Sequence, residues 1–344
     1  MGNIGNSAKP LYGDLADGSQ SFAKEIDESF FCWEPNEKRA EVLARLTREF
    51  WRSNAEKAVL TAAKGLSENL DILLSSIRAI DLQRTLAPRL SARLSSLIES
   101  MERRDGYAVM DGIQAWTADP PESWYSSGLQ TESIATHAWE SSLLREVRST
   151  QVSGVAALEF FPLLERDMSQ LHSQVLLTLE RIGQVNPQMH AEIQSHVSII
   201  KLFTGNGIEG LSSPKVFGAL WLKAPALQNA QGWFLEHLVH ECSHLYLNAL
   251  LMIDPLLTNP QEINKAPIRP DPRPMFQILH GVFVLARNCR VHAQLDQQFP
   301  DLGLKPALDK FREQFQVGLD VLERHMQPTA AGQLLLDSFK QDPP

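Results

Sequence analysis

The chain has 344 residues, 43% of them hydrophobic and 21% charged, with 19 Gly and 20 Pro, which excludes collagen-like, disordered and coiled-coil proteins and describes a globular protein with a full core. Its 32 basic and 41 acidic side chains leave a formal charge of −9, with no basic footprint to neutralise a phosphate backbone, so no nucleic-acid partner is expected. No apolar run approaches the ~18–20 residues that span a bilayer, the N-terminus shows no signal-peptide pattern, and Cys32, Cys242 and Cys289 are too scattered for a disulfide framework or a CxxC zinc site. A reducing cytoplasm and no membrane partner are the expectation.

Residues 38–103 repeat Leu, Ile or Val at three- and four-residue steps and read as a helical bundle. From 105 to 130 the period fades and Gly106, Gly112, Pro120, Pro121 and Gly128 gather, which marks the candidate boundary. A second helical block is expected from about 155 to 182, with Pro162 in its first turns. HVSIIKLF at 196–203 and KVFGALWL at 215–222 are short β-rich runs separated by a Gly- and Ser-containing turn region. Helical pattern returns at about 230–251, breaks in a Pro-rich loop from 255 to 274, and resumes at 275–297 and 304–326. The expected fold is therefore mainly α: a helical N-terminal region over 1–130 and a helical metal-binding region over 131–344, with a short β hairpin or small sheet beside the helix at 230–251.

Histidine is distributed unevenly, since none of the ten precedes His137 while His237, His240, His244 and His280 lie close together. His240, Glu241, Cys242, Ser243 and His244 form the H-E-x-x-H pattern on a segment that independently reads as a helix. Residues four apart share a helix face, so His240 and His244 can offer imidazole nitrogens to one metal ion, with Glu241 beside its open positions. The rest of the helix is apolar, so the polar stripe is expected to be buried, at a cost of a few kcal/mol per unpartnered group that a bound cation removes. Chance gives the five-residue pattern in roughly one such chain in a hundred, and the helix requirement lowers that further. His237, one turn earlier, reads as a supporting residue, because three ligands from one straight helix rarely converge.

The third ligand decides the chemistry. A metzincin needs a glycine and a histidine where this chain has Leu247 and Leu250, so that class fails. A thermolysin-like carboxylate on a following helix is missing too, because Asp254 precedes a proline and Glu262 falls in a loop. His280 is better placed, on the next apolar helix, although a lone histidine there also fits a satisfied core position. In PIRPDPRP at 267–274, Arg269, Asp271 and Arg273 each precede a proline and are held extended. Either this is a solvated connector with an Arg–Asp pair, or its guanidinium groups bind a carboxylate in bidentate fashion. Arg287, about 10 Å along the helix from His280 and on the same face, is a third cation able to reach a small dicarboxylate at the metal.

The HECSH helix, the apolar LNALLMIDPLL, the R-P-D-P-R-P segment and an apolar helix with an early histidine together resemble one family. It is the HExxH-motif proteins encoded beside ribosomally synthesised, post-translationally modified peptides and associated with iron- and α-ketoglutarate-dependent peptide β-hydroxylation. The resemblance covers roughly residues 195–295 and takes its specificity from the coupling of HExxH to the Arg–Asp–Arg–Pro segment. It implies Fe(II) on His240, His244 and His280, with room for a bidentate 2-oxo acid and O₂. Arg269, Arg273 and Arg287 become candidates for the distal carboxylate of α-ketoglutarate, and Glu241 orients a ligand, water or substrate. The implied partner is a precursor peptide, with the strand at 215–222 pairing with it. Two other readings stand beside this one. In a zinc metallopeptidase or amidase, Glu241 is the general base for a zinc-bound water. In a non-catalytic protein, the metal only stabilises a peptide-binding fold.

Overall fold

The computed structural model describes residues 26–64, 70–134, 138–149, 158–266 and 271–344. Asn36 opens the first helix, its side-chain oxygen accepting the Arg39 N–H at 3.1 Å, the usual way an asparagine satisfies a free donor at a helix start. This helix, α1 (Glu37–Ala63), is followed by α2 (Asp71–Arg78), α3 (Pro88–Glu102) and α4 (Gly106–Thr117). Trp51, Ile77, Leu90, Leu94, Ile113 and Trp116 close a core among these four. The first turns of α1 and the residues before it belong elsewhere: Phe30, Trp33, Ala40 and Leu43 pack into the core built by the C-terminal helices. The stretch at 105–130, whose period fades and which marks the candidate boundary, contains α4, because Asp105 caps it by accepting the Ala108 N–H at 3.1 Å. Two glycines inside a helix weaken the sequence signal, and packing against α3 overrides it.

Next come β1 (Gln130–Ser133), α5 (Ala138–Ser149), α6 (Glu165–Val185) and α7 (Pro187–His196). Pro162 precedes α6 instead of sitting in its first turns, and residues 155–157 of the expected block lie outside the described residues. The strands β2 (Ile199–Phe203), β3 (Gly210–Ser212) and β4 (Ala219–Lys223) complete a four-stranded sheet in the order β1-β2-β4-β3. β1, β2 and β4 are mutually parallel, with Ile199 opposite Ala219 and Gln130 opposite Ile199, and β3 runs antiparallel at the edge. The two apolar runs are thus parallel neighbours in a small sheet and not a hairpin. The second run starts at 219, four residues later than expected, because Gly218 turns the chain with φ +85°. A Cβ there would meet Ser198 Oγ at 2.9 Å.

Both faces of this sheet are covered, which is why its strands read as continuous apolar runs without alternation. Ile200, Leu202, Leu220 and Leu222 face α6, α7 and the long helix α8 (Ala230–Leu251). Ile199, Phe203, Ala219 and Trp221 face the opposite way, against Leu143, Leu144 and Val147 of α5. Beyond α8 lie a two-stranded ribbon of β5 (Ile263–Asn264) and β6 (Arg273–Pro274), then α9 (Met275–Gln298), α10 (Lys305–His325) and α11 (Ala330–Gln341). The sequence pattern anticipates α8, α9 and α10 within about a residue, but not α11, whose twelve residues follow a Thr329 cap onto the Gly332 N–H. Eleven α-helices beside one four-stranded sheet and a two-stranded ribbon, among the described residues, make the fold mainly α.

Candidate metal centre

Helix α8 is apolar almost all round because it is the central element, packed by the sheet on one side and α9 on the other. Between its first turn and its last residue, it is covered everywhere except on one narrow ridge at four-residue steps: Glu236, His240, His244 and Asn248 are only half-buried. The two motif histidines therefore stand on its most open line. The expectation that the polar stripe is buried holds in full for Glu241 and His237, each 5% exposed, and in part for His240 and His244, which keep an opening to solvent.

His240 Nε2 lies 3.2 Å from His244 Nε2. Two nitrogens that far apart suit one ion at the usual ~2.1 Å, with an angle of about 100° between the two bonds. Burial pushes the His240 ring down to about 3 and His244 well below its ordinary value, so both are neutral, the form that binds a metal. His280 comes from α9 to the other nitrogen of His244, its Nδ1 3.2 Å from His244 Nδ1 and its ring stacked on that of His244 at 5.4 Å. Burial holds it at about 4. His244 thus turns one nitrogen to each neighbour, and the three rings form a chain centred on it. Among the described residues no three His, Cys, Asp or Glu side chains are placed together to hold a metal ion. The donor set, three neutral imidazoles in a chain with an open side, still suits a divalent transition metal in its chemistry.

Glu241 points to the sheet. Its Oε2 accepts the Ser212 hydroxyl at 2.8 Å, and its Oε1 lies where a Cβ on Gly210 would sit, at 2.5 Å. Burial outweighs the Ser212 hydrogen bond and lifts the carboxyl to about 7. Ser212 and Gly210 belong to β3, three residues long and at the sheet's edge. Sequence reasoning missed both, and a glycine two residues before a serine is too weak a signal to find them. The strand expected to receive a peptide, at 215–222, is β4, which is flanked by β2 and β3 and has no open edge; β3 is the edge beside Glu241.

The three arginines part company. Arg269 lies outside the described residues. Arg287 is fully buried: its guanidinium pairs with Glu192 of α7, its Nε donates to the Trp33 carbonyl at 2.8 Å, and it is held between the rings of Tyr246 and Phe283, 4.3 Å from each. Its Nη2 is buried without an acceptor among the described residues, but its charge is matched by Glu192 inside the core, which corrects the expectation that Arg287 is available to a co-substrate. Arg273 remains, at the head of α9 two turns before His280. It meets Asp271 at 2.5 Å and Gln277 at 3.5 Å, while its buried Nε has no acceptor among the described residues. The rejected carboxylates are also accounted for. Asp254 accepts from the Leu256 N–H and the Thr329 hydroxyl, and Glu262 is tied to Asn259 and Asn264 in the loop. His237 donates from Nδ1 to the Trp233 carbonyl at 2.8 Å and stacks on that ring, leaving a buried Nε2 without a partner among the described residues.

No protein-family model matches this sequence, and no curated protein does. No helix among the described residues is long and apolar enough to cross a membrane.

Proposed function

We propose that the protein is an Fe(II)- and α-ketoglutarate-dependent oxygenase that hydroxylates a β-carbon in a ribosomally made precursor peptide. The observation that carries this reading is the content of one helix start: α9 brings His280 against His244, and two turns earlier Arg273 keeps an unpartnered guanidinium nitrogen. His240, His244 and His280 would hold the metal. Arg273 would take the distal carboxylate of the co-substrate, a charge-assisted bond of the kind that makes burying a carboxylate affordable. The open edge of β3 would pair with an extended peptide and bring it past Glu241, which orients what lies between strand and metal. Bound iron and co-substrate supply the oxidising power: one oxygen atom of O₂ goes into the C–H bond, the other into succinate, and CO₂ is released.

A second reading, a zinc hydrolase, is favoured by Glu241 itself, since a carboxyl lifted to about 7 suits a general base at neutral pH. The two readings separate in one experiment. The protein is reconstituted anaerobically with Fe(II), given α-ketoglutarate and O₂ with a precursor peptide encoded beside it, and assayed for succinate and for one added oxygen. Arg273→Leu should raise the α-ketoglutarate concentration required by about tenfold, as a lost charge-assisted bond of ~1.5–3 kcal/mol implies, with iron still bound. Peptide cleavage with Zn and without O₂ would instead establish the hydrolase.

A further inference from the structure

On the face of the sheet turned away from α8 lies a cavity of about 630 Å³, within the range of ligand-binding clefts. Its floor is Gln130 and Glu132 of β1 with Ile199 and Lys201 of β2, side chains at alternate positions and so on one face. Its walls are the facing sides of α3 and α4. α3 contributes Arg89, Arg93, Ser96 and Ser100 at helical spacing, and α4 contributes only Ala108, Gly112 and Ala115, so the space comes from small side chains at four- and three-residue steps.

The wall chemistry is specific. At one end two guanidinium groups share one carboxylate, Asp119, which is 2.5 Å from Arg93 and 3.6 Å from Arg89. The Arg89 Nε is buried without an acceptor among the described residues. That end has one positive charge in excess and an unspent donor. At the other end Lys201, 1% exposed, is held by two carboxylates, Glu132 at 2.7 Å and Glu140 at 3.2 Å. Among the other lining residues the hydroxyls of Ser100, Ser123 and Ser198 donate to the backbone carbonyls of Ser96, Pro120 and Gly218. Their protons are committed, so what they offer a ligand is lone pairs. A phosphate group needs donors on every side, whereas a peptide brings amide N–H donors for the serine oxygens and a carboxylate for the arginines.

We infer that this cavity binds a peptide segment carrying an acidic residue, with its carboxylate at Arg89 and Arg93. The inference does not depend on the metal reading, because the sheet separates the two places and no metal-centre residue lines the cavity.

The test is fluorescence anisotropy on the full chain with fluorescein-labelled, C-terminally amidated Gly-Ala-Glu-Ala-Glu-Gly and its Gln counterpart. The Glu peptide should bind at least tenfold more tightly than the Gln peptide, and Arg89→Gln should erase the difference. Because Arg89 also holds the Ser123 carbonyl, a second variant, Ala108→Trp, fills the cavity and leaves both arginines in place; it should abolish binding of the Glu peptide while the thermal melt stays cooperative. Equal binding of the two amidated peptides, or unchanged Glu-peptide binding in folded Ala108→Trp, would overturn the inference. So would displacement by sodium phosphate well beyond that by sodium chloride of the same ionic strength.

Discussion

His244 touches both of its neighbours, so the three histidines are not equivalent to a metal. His240→Ala and His244→Ala should each lose tightly bound metal, measured by elemental analysis after gel filtration, while circular dichroism keeps its helical signal. His280→Ala should weaken metal binding far more than Leu279→Ala, which empties a buried site and should cost about 2–5 kcal/mol of stability instead. Equal metal content in wild type and His280→Ala would remove His280 from the ligand set. Gly210 gives a sharper test of Glu241. An alanine there puts a Cβ 2.5 Å from Glu241 Oε1, so Gly210→Ala should displace the carboxylate and cut turnover at least tenfold with metal content unchanged. Turnover equal to wild type would show that the contact between β3 and Glu241 is not used.

At the scale of elements, α7 and α9 are fastened together by the buried pair of Glu192 and Arg287, and Tyr246 of α8 covers the guanidinium. Breaking such a pair leaves an unmatched charge in the core, so Glu192→Gln should cost about 3–5 kcal/mol in urea unfolding, and the double change Glu192→Leu with Arg287→Met should recover most of it. A single variant as stable as the double one would mean that the pair does not hold the helices. This pair also shows what the sequence conceals. Helical period locates α8 and α9, and motif spacing locates His240 and His244, because those are local signals. Arg287 sits on the same face as His280 in the sequence, and only the arrival of Glu192 from another helix, 95 positions earlier, turns it from a ligand-binding cation into a core residue. The same limit hid β3: three residues carry no period, and their role depends on where Glu241 points.

For the molecule as a whole, buried histidines set the response to acid. Burial, with help from Arg287 and Arg48, lowers His196 from 6.5 to about 3, while its ring meets Tyr246 edge-on at 5.6 Å. In the unfolded chain this ring takes up a proton below about pH 6.5, and in the folded chain only near 3, so folding stability is lost as pH falls through that window. At pH 4.5 the loss amounts to about 2–3 kcal/mol. His196→Phe keeps the edge contact and has nothing to protonate, so its urea midpoint should drop less between pH 7 and 4.5 than that of wild type. Identical drops would assign the acid response to other groups. The sheet has a consequence of another kind. The cavity lies toward its β1 edge and the Glu241 contact at its β3 edge, on opposite faces. Three strand spacings of ~4.8 Å and a layer of ~10 Å make a path of roughly 25 Å around it. An extended chain covers that in about eight residues. A peptide held at both places would be chosen by the interval between its acidic anchor and its modified residue, so the sheet would act as a ruler, and lengthening or shortening that interval would move the position of modification along the peptide.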